Sequence, residues 1–76
     1  MTSEELRILV QADDRRILIK DARAYYKGCI PGWEAFANTH GFIWKDVIRH
    51  GLLASELLAT DDIMAVNLVK YVYGSN

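Results

Sequence analysis

The chain has 76 residues, 51% of them hydrophobic and 25% charged, with a formal net charge of −1. That length predicts one domain spanning residues 1–76, which removes only about 60% of the unfolded chain's surface from water and is thinly stable. The composition excludes a disordered chain, the near-zero charge excludes a dominant polyanion or polycation partner, and no apolar run approaches the roughly 20 residues needed to span a bilayer.

The start, Met1-Thr2-Ser3-Glu4-Glu5, is acidic and has no basic stretch before an apolar run, so no secretory leader is expected. The lone cysteine, Cys29, excludes an internal disulfide and fits a cytoplasmic protein. Cys29 lies near Lys27 and just before an expected helix start, surroundings that favour a thiolate. With no general base beside it in sequence, the expected role is a small buried hydrophobe.

Two readings compete for residues 6–20. Thr2 and Glu5 have capping-box spacing, and Leu6, Leu9 and Val10 would share one helical face. Alternatively Leu6–Gln11 and Arg16–Lys20 form a β-hairpin turning at Asp13-Asp14. It would place the β-branched Ile8, Val10, Ile17 and Ile19 on one face and mostly polar residues on the other. The hairpin is the expected arrangement, and because an isolated hairpin is unstable its apolar face must lie on helices.

Asp21 then suits the N-cap of a helix over Ala22–Lys27 that Gly28 would end. Of Tyr25 and Tyr26, which point different ways from that helix, one is expected in the core and one at its rim. In Pro31–Gly41, Trp33, Phe36 and Ala37 fall at i, i+3 and i+4, with proline in the first turn and glycine just past the end. The pattern repeats in Trp44, Val47 and Ile48, closed by Gly51. Ser55 can cap a third short helix carrying Leu57 and Leu58. Thr60 can cap a fourth, with Asp61 and Asp62 in its first turn, running to Tyr73 and stopping at Gly74. Trp33, Phe36, Phe42 and Trp44 are the expected core aromatics. The fold class is therefore α+β, an N-terminal hairpin packed on four to five short helices, with an all-α chain as the alternative.

The last helix is apolar nearly all round, with only Asn67 and Lys70 as a polar stripe after the first turn. Such a helix is either central in its domain or covered by a partner. The second possibility makes Val66, Val69, Lys70 and Tyr73 a candidate protein or self-association interface; the first packs the helix between hairpin and helices.

Ala37, Gly41 and Val47 match the small residue, turn glycine and aliphatic of a helix–turn–helix. Lys45, Asp46 and Arg49 would face outward, with a local basic excess at Arg15, Arg16, Lys20, Arg23 and Lys27. These cations could contact phosphate nonspecifically, although Asp46 would repel it. Asp46 and His50 are four apart, as metal ligands can be, but no third ligand presents itself, and both histidines, His40 and His50, suit helix C-termini. No nucleophile–base pattern or phosphate loop is legible, and no enzyme, metal or cofactor is expected.

From Lys20 onward the chain resembles a family of small uncharacterised proteins of tailed bacteriophages and prophages. The resemblance rests on Asp21-Ala22-Arg23, Cys29 with Gly32 and Phe36, His40-Gly41-Phe42-Ile43-Trp44, Gly51-Leu52, Ala54, Glu56-Leu57, Ala59-Thr60-Asp61-Asp62 and Met64-Ala65. The family more often has Leu-Asp before the tryptophan and Gly-Asp after the threonine, where this chain has Phe42-Ile43 and Asp61-Asp62. The resemblance implies origin in a mobile element and transfers no catalytic site. Proteins of this kind and size are often stoichiometric binders of host or phage proteins. The expected function is a non-enzymatic protein-binding or adaptor module in the host cytoplasm, whose partner is a host or phage protein or a second copy. The alternative is a nucleic-acid-binding module.

Overall fold

The computed structural model of the chain describes residues 2–26 and 30–74. Among them are six helices and one two-stranded antiparallel sheet, a small α+β fold: α1 (Ser3–Ala12), β1 (Arg16–Ile17), α2 (Ile19–Tyr26), α3 (Ile30–Thr39), α4 (Trp44–His50), β2 (Leu52–Leu53), α5 (Ala54–Ala59) and α6 (Ile63–Gly74).

The sheet is built differently from the expected hairpin. Residues 6–11 are helical, and β1 pairs with β2, Arg16 opposite Leu53 and Ile17 opposite Leu52. Two local effects decide this. The Thr2 hydroxyl oxygen accepts the Glu5 amide at 3.1 Å, satisfying a first-turn donor that a helix otherwise leaves open. Leu6 and Val10, four apart, are then both buried, while Ile8, assigned to the hairpin's inner face, is 60% exposed. Asp13 and Asp14 do not form a hairpin turn. The Asp13 carbonyl accepts the Tyr73 hydroxyl at 2.6 Å, and the Asp14 carboxylate reaches Ser55.

Three helix starts also shift. α2 begins at Ile19, and Asp21 caps it from within, Oδ2 accepting the Leu18 amide at 2.9 Å. Ser55, the expected cap of α5, is its second residue, and the cap comes from outside, the Ser55 amide donating to Asp14 Oδ1 at 3.0 Å. At α6 the capping oxygen belongs to Asp62, which accepts the Met64 amide at 2.9 Å. Thr60 sits a step earlier, donating to the Leu57 carbonyl at 2.7 Å and accepting from the Asp62 amide. The expected helix end at Gly28, together with Lys27 and Cys29, lies outside the described residues.

α6 is central: it packs against α1, α2 and α5, with Ala65, Leu68, Val69 and Tyr73 buried. α3 packs on α4, and Trp33, Phe36 and Ala37 enter the same core. Aromatic rings run in contact across it, Tyr26 to Trp33 at 5.6 Å and Trp33 to Phe36 at 5.2 Å between centroids. Tyr26 packs against the core while Tyr25 is exposed and stacks on Tyr71 at 4.8 Å. No helix among the described residues is long and apolar enough to cross a membrane.

Candidate functional site

The expected interface on the last helix is mostly interior. Val69 is fully buried, and Tyr73 is buried with its hydroxyl bridging two backbone groups, donating to the Asp13 carbonyl and accepting the Arg15 amide at 2.8 Å. Val66 and Lys70 are half-buried on the helix flank. Of the four candidates, Val69 and Tyr73 are corrected to core positions. The helix is apolar all round because three helices surround it, the other possibility that its composition allowed.

The helix–turn–helix spacing does produce a tight turn between α3 and α4. Gly41 has φ +79°, and the Phe42 amide closes on the Ala37 carbonyl at 2.8 Å. Ala37 and Val47 are buried on facing sides of that turn. α4 itself is only seven residues long, because Gly51 (φ +69°) turns the chain into β2.

The candidate cations do not form one group. Arg15 is half-buried, its guanidinium 5.1 Å over the Tyr73 ring and reaching the Val72 carbonyl at 3.4 Å. It is therefore part of the fold's closure rather than a free contact. Arg16 Nη1 donates to the His50 carbonyl at 3.2 Å, binding β1 to the end of α4. Lys20 and Arg23 are exposed on α2, Lys45 and Arg49 on α4, and Lys27 is outside the described residues.

The two histidines part company. His40 packs at a tilt against Phe36, 4.6 Å between centroids, with Nε2 3.8 Å from Asp62 Oδ2, so it lies between the end of α3 and the start of α6. His50 is exposed at the end of α4. Among the described residues no three His, Cys, Asp or Glu side chains converge on a common point.

What the fold builds instead is an open groove of about 850 Å³ between α4 and the β2–α5 segment. Its floor is apolar, from Phe42, Val47, Leu52 and Leu53, and its rim is charged, from Arg16, Asp46, His50 and Glu56. Ile43 stands 66% exposed at one end. Glu56 closes the strand edge: its Oε1 accepts the Leu53 amide at 2.9 Å, the donor that points away from β1. A visiting strand therefore has no free donor at Leu53, and what the groove offers is side-chain contact. The rim opposes two carboxylates to one guanidinium and one imidazole, which suits mixed-charge protein surface better than a run of phosphates.

Sequence reasoning paired Asp46 with His50, four apart on one helix, and named Arg16 among the cations, but did not bring the three to one groove. The signal was Gly51: it folds α4 back on β1 and so brings residues of β1, α4, β2 and α5 to one groove. No family model, no curated protein and no solved structure matches this chain.

Proposed function

We propose that this chain is a small non-enzymatic protein-binding module of phage or prophage origin, with a host or phage protein as partner. The groove between α4 and β2 is its binding face. The observation that carries the reading is the groove's anatomy, an apolar floor inside a rim of mixed charge, which is how protein interfaces are generally built. The origin rests on the sequence resemblance alone. Exposed Ile43 is the natural anchor: a side chain that large, left in water beside an apolar floor, gains about 1.5–3 kcal/mol when covered.

The test is light scattering at several concentrations, with and without duplex DNA at low salt, followed by capture from host lysate using wild type and Ile43→Asp. A partner held by the wild type and released by the folded variant supports the reading. Capture that ignores the variant, or a mass that shifts only with DNA, overturns it.

A second reading, nucleic-acid binding, draws on the α3–α4 turn and the exposed Lys45 and Arg49. It predicts duplex binding that weakens steeply with salt.

A further inference from the structure

The other flank of α4 carries a separate feature. A narrow cleft runs into the core between α4 and the β1–α2 junction, its mouth formed by the half-buried Leu18, Ile19 and Trp44. Ile48, one turn on from Trp44 on the same flank, is 52% exposed. Three of these four apolar residues are followed in the chain by an exposed cation: Lys20 after Ile19, Lys45 after Trp44, Arg49 after Ile48. None of the three forms an ion pair within the described structure. The neighbouring acids are engaged elsewhere, Asp21 on the Leu18 amide and Asp46 on the groove side with His50.

Trp33, which lines the cleft, is 4% exposed, and its buried Nε1–H has no acceptor among the described residues. A buried donor left unpaired is costly, because it has given up its bond to water. The enclosed volume is only about 20 Å³, room for a single water. That excludes an acyl chain or a drug-sized ligand lying within it. An occupant must lie across the mouth, over Leu18, Ile19, Trp44 and Ile48, with its charge on the three cations.

We propose that this flank docks an acidic peptide segment carrying an apolar anchor side chain. The cations supply complementarity to carboxylates, and the aliphatic and indole surfaces take the anchor. A phosphate backbone would use the cations and leave the apolar mouth uncovered. The site opens on the other flank of α4 from the groove, with Val47 and Leu52 as the wall the two share.

The experiment is an NMR titration of the intact protein, read at the two indole N–H signals. The probe is a short synthetic peptide of glutamates flanking a Leu-Phe pair; a lysine version is the control. The glutamate peptide is expected to move the Trp33 and Trp44 signals. Lys45→Glu/Arg49→Glu weakens binding about tenfold or more, added salt weakens it further, and Ile43→Asp leaves it unchanged. Still indole signals at millimolar peptide, or an equal response to the lysine peptide, would overturn the proposal. So would duplex DNA moving the same signals at lower concentration, which would assign the cations to phosphate.

Discussion

A Cβ added at Gly51 would sit 2.2 Å from the Ile17 carbonyl oxygen and 2.9 Å from its carbon, both backbone atoms that cannot swing aside. The same residue holds φ +69°, a region costly for any side chain. Gly51→Ala is therefore expected to lose on the order of 3 kcal/mol in urea unfolding. Gly41 is the control: φ is +79°, but nothing lies within 4 Å, so Gly41→Ala carries the conformational cost alone, about 1–2 kcal/mol. Both glycines were legible as helix stops. That Gly51 also abuts another strand was not, because the contact comes from a distant part of the chain. Tyr73 makes the same point for a polar atom. Tyr73→Phe strands the Arg15 amide and the Asp13 carbonyl together, and about 1–3 kcal/mol should disappear from the unfolding free energy with the ring still in place.

At the level of elements, periodicity located α3 and α4 closely, since Trp33/Phe36/Ala37 and Trp44/Val47 turn inward in local spacing, but Ile48, the third of the second set, is 52% exposed. It misassigned residues 6–11 because Ile8 and Val10 favour strands by type, while Leu6 and Val10 favour a helix by position, and position prevailed. Caps were the least legible. Ser55 and Thr60 have the right chemistry, but the carboxylates doing the capping are Asp14 and Asp62, and Asp14 lies 41 residues from the amide it accepts. Asp14→Ala should lower stability by about 1 kcal/mol and raise amide exchange at the start of α5 before anywhere else. The groove was illegible for a related reason: its walls come from elements that meet only after Gly51 turns the chain.

For the whole molecule, one small core holds every element, and among the described residues no second core stands in reserve. A deletion such as Leu6→Ala, at a fully buried site, should cost about 2–5 kcal/mol, a large share of what a domain this size possesses. Circular dichroism should show Val69→Asp unfolded and Ile43→Asp folded with an unchanged melting temperature. A folded Val69→Asp would return the last helix to the surface and reverse the assignment of its residues to the core.

The segment Asp13–Arg15 holds both Ser55 and Tyr73, across sequence separations of 41 to 60 residues. A mostly helical chain usually assembles from local contacts and does so fast; here the first and last helices are latched by bonds that must wait for the longest loop to close. The α3–α4 turn, held by neighbours in sequence, can organise early, and the latch comes late. Stopped-flow kinetics on Tyr73→Phe should then show faster unfolding and an almost unchanged refolding rate, making this short segment the catch that sets how long the native state lasts.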